Sequence, residues 1–273
     1  MSAAPEMTSA QVLEVLTAVR ERGPLVHCMT NIVVANVTAN VLLAVGASPA
    51  MVENDEESAE FAGIADALLV NLGTLSAERA RAMRLAAASA REHGKPWVLD
   101  PVAVGAMTFR TRLAAELLAS RPAVVRGNAS EVLSLAGAAG AGRGVDSTVG
   151  AEAAVGTARE LARRTGGVVA VSGAVDQVTD GERVLQVRTG HELMTRVTGV
   201  GCALGALVAA CCAVEDDPLL AAVAATTVLT VAAEEAAAVS PRPGSFAVAL
   251  VDALDALDGS TLDARMRARA VAP

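Results

Sequence analysis

The sequence predicts an α/β protein in which a central, mostly parallel sheet carries helices on both faces and the C-terminal third is helical. Two observations lead there. Short, continuously apolar runs alternate with longer helical patterns, and from Gly199 onward the pattern is almost entirely helical. Strands that are apolar throughout, and separated by helices, imply parallel pairing with both faces covered.

The predicted strands are Leu25–Met29, Ala67–Leu72, Trp97–Asp100, Ala123–Gly127 and Val168–Gly173. A hairpin follows in QVTDGERVLQVR, turning at Asp180-Gly181, a dipeptide suited to tight hairpin turns. Between the strands lie helical patterns such as SAERARAMRLAAASAREHG, which opens at Ser76 and closes near Gly94. The Gly/Ala-rich stretch Ala136–Gly150 reads as a loop. No linker rich in Pro or Ser divides the chain and no fixed-period repeat occurs, so one domain over residues 1–273 is expected.

Composition narrows the function classes. The chain is 53% hydrophobic but only 1% aromatic, so its core must be Ala, Val and Leu on closely packed helices. Mean hydropathy is +0.45, yet the most apolar windows, Gly201–Val214 and Leu219–Ala233, fall short of the roughly 20 residues of a bilayer span. They read as buried helices. No basic N-terminal region leads into an apolar run. A soluble, cytoplasmic protein with no membrane partner is expected. The net charge of −8, without a basic block, argues against a nucleic-acid partner. The four cysteines form no CxxC pair and the three histidines lack metal-ligand spacing, so neither disulfides nor a zinc site is expected.

The chemistry is expected beyond the carboxyl ends of the strands. In RVTGVGCALGALVAACCAV, Gly199 and Gly201 stand where an apolar helix begins, although glycine costs about 1 kcal/mol inside a helix. A glycine turn lets an anion approach the unpartnered first amides of a helix, and Cys202 sits at that mouth. Asp100 ends one strand and Glu131 follows the next, so two carboxylates about one strand spacing apart can reach one hydrated magnesium ion. Arg126, on the same edge, can clamp phosphate. Each has a structural alternative: Asn128-Ala-Ser-Glu131 is also a capping box, and Asp100 is also a turn residue.

In these segments the chain resembles the hydroxyethylthiazole kinases of the ribokinase-like superfamily. The matching stretches are PLVHCMTNIVVANVTANVLLAVGASPAMV, LLVNLGTL, VLDPVAVGAMTFRT, VVRGNASE, GVDS, VSGAVDQVTDG, VTGVGCALGALVAACCAVEDDPL and PGSF, in family order. The resemblance implies a ribokinase-like fold and transfer of the ATP γ-phosphoryl group to the primary alcohol of 4-methyl-5-(2-hydroxyethyl)thiazole, a salvage step of thiamine biosynthesis. It also implies a homotrimer with pockets shared between subunits. By motif, Asn31, Gly46, Pro49 and Met51 line the thiazole pocket, and Gly199 and Cys202 meet the hydroxyethyl group. Arg126, Ser172 and Asn128 lie on the ATP side, Asp100 and Glu131 serve magnesium, and GVDS borders the nucleotide. Gly199, Gly201 and Cys202 form the catalytic anion-hole turn.

Val200 in that turn, GAMTFR and Ser172 depart from the usual pattern and bear on specificity more than on reaction class. Cys202 stands where the wider superfamily has an aspartate base. Cysteine pKa values fall at helix N-termini, so Cys202 reads as a modest general base, with a hydroxyl-orienting pocket wall as the alternative. Two competing functions remain: a related kinase acting on hydroxymethylpyrimidine or another small alcohol, and a non-catalytic nucleotide-binding regulator. The HCMTN segment and the cysteine in the turn weigh against the first. Retention of Asp100, Glu131 and Arg126 weighs against the second.

Overall fold

The computed structural model describes residues 7–137 and 150–270; the GVDS segment (144–147) lies outside them. Strands β1 (Leu25–Met29), β2 (Ser48–Ala50), β3 (Ala67–Asn71), β4 (Trp97–Asp100), β5 (Val124–Asn128), β6 (Val168–Ser172), β7 (Asp176–Thr179) and β8 (Val184–Val187) form one sheet in the order β2-β1-β3-β4-β5-β6-β7-β8. The pairings from β2 to β6 are parallel, and β7 and β8 add antiparallel at the edge. Every predicted strand is present within a residue or so. The three-residue β2 is an addition to the sequence reading, and its Pro49 sits on the sheet's edge, where a missing N–H is tolerated.

Alternate residues of each central strand serve different cores. Val26, Cys28, Ala67, Leu69, Val98 and Val124 face one layer, while Leu68, Val70, Trp97, Leu99 and Val125 face the other. The first layer contains α1 (Ser9–Arg22), α2 (Ala35–Ala44), α8 (Val200–Cys212), α9 (Pro218–Val239) and α10 (Pro243–Ala256). The second contains α3 (Ser58–Ile64), α4 (Ala77–Glu92), α5 (Thr108–Leu118), α6 (Ala129–Leu135) and α7 (Ala151–Thr165). A final helix, α11 (Gly259–Ala270), packs on α1 and α9. Trp97 is buried in the second layer and donates its indole N–H to the Ser120 carbonyl at 3.2 Å.

Local signals account for the helix ends. Ser76 caps α4 by accepting the Arg79 N–H, and Thr8 and Gln11 close a reciprocal capping box on α1. Asp217 caps α9, with Pro218 in the first turn. Helix α9 is longer than its apolar window suggests: its 22 residues are long and apolar enough to cross a membrane, but 89% of its most apolar stretch is buried inside the fold. Its buried Thr226, Thr227 and Thr230 donate to carbonyls one turn back, so these hydroxyls are met within the helix.

Candidate active site

Polar side chains gather where the buried strands end. Beyond β1 lie Thr30 and Asn31; β3 ends on Asn71, β4 on Asp100, β5 on Asn128 and β6 on Ser172. Helix α8 begins against this edge. Gly199 at its N-cap has φ +92°, a conformation L side chains rarely adopt, and a Cβ there would lie 3.0 Å from Val34 Cγ1. The Ala203 N–H donates to the Gly199 carbonyl at 2.8 Å, so the amides of residues 200–202 precede the first helical hydrogen bond. Val200 turns its side chain into the core, leaving its amide as its contribution to the turn.

Arg126 reaches from β5 across Gly201. A Cβ on Gly201 would stand 3.2 Å from Nη1 and 3.4 Å from Nη2, so glycine is what admits the guanidinium to the helix end. Arg126 Nη2 donates to Ser172 Oγ at 2.7 Å. Ser172 in turn hydrogen-bonds Asp176, which also accepts the Gly173 N–H at 2.9 Å. Burial raises the Asp176 carboxyl above its ordinary range, opposed by that N–H and by Arg126. Arg126 Nε is buried without a hydrogen-bond partner, and among the described residues Arg126 enters no ion pair. A guanidinium held by a neutral hydroxyl beside open helix amides is chemically an anion site.

Next to it runs a buried chain of side-chain hydrogen bonds. Asn71 Nδ2 donates to Asp100 Oδ2 at 2.7 Å, Asn31 Nδ2 donates to Asn71 Oδ1 at 3.1 Å, and the same Nδ2 reaches Cys202 Sγ at 3.4 Å. Burial pushes the Asp100 carboxyl up to about 7; the Glu131 charge adds to this, while Arg126 and the Asn71 hydrogen bond oppose it. Burial and the Asp100 charge also raise the Cys202 thiol, outweighing its bonds to Asn71 and Asn31 and the pull of Arg126. The expected lowering of that thiol by its place at a helix N-terminus is therefore reversed. Desolvation acts on the whole thiolate charge, whereas the helix end offers only a partial one.

Glu131 closes the capping box of α6: its Oε2 accepts the Asn128 N–H and its backbone N–H donates to Asn128 Oδ1, both at 2.9 Å. Its Oε1 accepts the Ala103 N–H at 2.9 Å, which ties the loop after Asp100, where Ala103 holds φ +58°, to the start of α6. The capping reading is thus realised, and Asn128 Oδ1 is committed to the cap. Each Glu131 oxygen has a second lone pair, and its charge is felt at Asp100. Among the described residues no group of three or more His, Cys, Asp or Glu side chains converges on one point. Two adjacent buried carboxylates, with Asp100 raised by its burial, fit a divalent cation completed by water and phosphate oxygens better than a closed protein cage.

The residues expected around the organic substrate divide. Met51 follows the carboxyl end of β2, and Pro49 pairs with Val26 within that strand. Gly46 does not join the site. Helix α2 carries the chain back to the amino edge of the sheet, where Gly46, at φ +87°, lies against Arg20 of α1. The segment after Met51 is fastened from the other side: Arg79 pairs with both Glu53 oxygens at 2.9 and 2.8 Å and also donates to the Thr30 carbonyl. Asn71, Asp176 and this Arg79–Glu53 pair escape sequence reasoning. The available signals were an asparagine ending an otherwise apolar strand in LLVNLG and an aspartate opening the hairpin in GAVDQ.

Comparison with known proteins sets this geometry in a context. Residues 16–260 match the model of the hydroxyethylthiazole kinase family. The chain is 62% identical to a hydroxyethylthiazole kinase of Kineococcus radiotolerans over 261 residues, 96% of this chain and 93% of that protein. It is 57% identical to one from Granulibacter bethesdensis, over 96% and 95% of the two chains. Among solved structures, the hydroxyethylthiazole kinase of Pyrococcus horikoshii OT3 superposes with a TM-score of 0.85 at 44% identity, covering 92% of this chain and 95% of that one. A ribokinase-like superfamily protein from Enterococcus faecalis V583, only 12% identical, superposes with a TM-score of 0.65 over 94% and 97% of the chains; the fold is ribokinase-like.

Gly201→Ala tests the role of the close approach. The added methyl displaces the Arg126 guanidinium, so affinity for ATP measured by calorimetry should fall about tenfold, a typical loss for one hydrogen bond to a charged group. The melting temperature should hold, because alanine favours the helix. Unchanged ATP affinity would show that the contact has no part in binding.

Proposed function

The chain belongs to the hydroxyethylthiazole kinase family, and we propose that its site transfers the γ-phosphoryl group of ATP to the primary alcohol of 4-methyl-5-(2-hydroxyethyl)thiazole. The observation that carries the reading is the convergence of Arg126, the open amides of residues 200–202 and the Asp100–Asn71–Asn31–Cys202 chain on one edge of the sheet. The described chain acts as one ribokinase-like kinase domain. The single eight-stranded sheet supports this.

Arg126, oriented by Ser172, neutralises phosphate oxygens, and the amides of Val200, Gly201 and Cys202 receive charge that develops on the transferring group. Asn31 and Cys202 orient the hydroxyethyl arm beside Gly199, while Met51 contributes apolar pocket wall. Asp100 and Glu131 would hold magnesium, Glu131 through water, since both its oxygens already serve backbone amides. When bound, that ion neutralises phosphate charge. Phosphoryl transfer of this kind relies on positioning and electrostatics more than on a strong base. A thiol raised by burial suits the orienting role for Cys202 better than the base role.

Three further readings accompany this. A homotrimer is supported by the exposed Ile32 and Val33, 71% and 63% accessible, which directly follow Asn31 and would carry a neighbouring subunit to the pocket's rim. A reducing cytoplasm suits four unpaired cysteines. Neither nucleic acid nor membrane enters the proposal.

A coupled ADP-release assay across small primary alcohols tests the substrate. The thiazole should be consumed fastest, and faster turnover of hydroxymethylpyrimidine would overturn the assignment. Sedimentation of the active preparation should give a trimer; a fully active monomer excludes shared pockets. For Cys202, the pH profiles of kcat in the wild type and in Cys202→Ser should coincide up to about pH 8, because burial raises the thiol and keeps it neutral there, while any rise near neutrality comes from Asp100, pushed up to about 7, in both proteins. Cys202→Ser should keep activity within about fivefold, since a hydroxyl still orients the alcohol. A loss of about 100-fold or more, the usual cost of a missing general base, would restore the base reading.

A further inference from the structure

We propose that Asn71 is a positioning residue that holds the acceptor side of the site, Asn31 and Cys202, in register with Asp100 on the phosphate side. The inference rests on the functional reading above and adds a residue to it.

Asn71 is fully buried at the end of β3, directly opposite Asp100 in the β3–β4 register. Its carboxamide works in two directions at once. Nδ2 donates to Asp100 Oδ2 at 2.7 Å, while Oδ1 accepts from Asn31 Nδ2 at 3.1 Å and from the Gly73 N–H at 3.0 Å. An ionised aspartate can accept as Oδ1 does but cannot donate, and alanine can do neither. Asn31 has little freedom to turn elsewhere, because it is pressed against Gly73, where a Cβ would come within 2.7 Å of its own Cβ. The Asn71 carbonyl therefore decides which end of the Asn31 amide points inward. With Nδ2 committed to Asn71 and to Cys202 Sγ at 3.4 Å, Asn31 Oδ1 is left as the acceptor for a ligand hydroxyl. The same asparagine thereby links the group that orients the alcohol to the Asp100 carboxylate.

Asn71→Ala and Asn71→Asp separate the two arms. Binding of hydroxyethylthiazole alone, without ATP or magnesium, is read by calorimetry, and turnover by ADP release. Asn71→Ala should weaken thiazole binding about tenfold, the scale of one buried hydrogen bond. That loss should disappear when Asn31 is already alanine, because Asn71 acts through it. Asn71→Asp keeps the acceptor for Asn31 and Gly73, so thiazole affinity should stay within about threefold of wild type. Its kcat should still fall tenfold or more, because the new carboxyl faces Asp100 across a hydrogen-bond distance and the two must share one proton, so the Asp100 carboxylate is no longer held by a neutral amide donor. If Asn71→Ala does not fold, Asn71→Asp carries the test alone. Losses that multiply in the Asn31→Ala, Asn71→Ala double variant overturn the inference. So does an Asn71→Asp protein whose thiazole affinity falls about tenfold. Wild-type protein that binds no thiazole overturns the functional reading, and this inference with it.

Discussion

A strand buried on both faces carries its polar side chains mainly near its ends. Strands β1, β3, β4 and β5 are covered by α8 and its neighbours on one side and by α3–α7 on the other, so their side chains are almost wholly apolar until the carboxyl edge. There the polar residues arrive together: Thr30 and Asn31, Asn71, Asp100, Arg126 and Asn128, Ser172. Buried polar groups must satisfy one another, and the chain from Asp100 through Asn71 and Asn31 to Cys202 is how they do so here. The two-sided core and the active site follow from the same condition.

Much of this was legible in the residues because the condition leaves a mark on them. Runs such as ALLVN and VVAVS are too apolar to face water on either side, which announces strand, burial and parallel pairing together. Asp100 and Glu131 were visible as the first carboxylates after such runs. Strand β2 was not, since SPA has three residues and its place is set by pairing with β1, a contact distant in sequence. The place of Gly46 within the chain was not legible either, because a helix of ten residues intervenes and the direction in which α2 returns the chain is a property of packing.

The charge state of Cys202 was illegible for a different reason. Its position at the start of a helix is local and readable, but its burial and the nearby Asp100 charge, which raise the thiol against the hydrogen bonds of Asn71 and Asn31, come from separate strands and loops. The two effects have opposite signs, and only the assembled edge shows which is larger. Asn71 was overlooked on similar grounds. An asparagine ending a strand is ordinary in sequence and acquires its meaning from the register that sets it opposite Asp100.

The scarcity of aromatic residues gives the chain an optical property. Trp97 is its single tryptophan and there is no tyrosine, so near-ultraviolet absorption and emission originate almost wholly from one indole. That indole is enclosed in the apolar second layer, on the same four-residue strand that ends in Asp100. The protein therefore carries its own spectroscopic reporter, placed on the strand that delivers a carboxylate to the active edge. Its fluorescence can follow the loosening of that strand without a label.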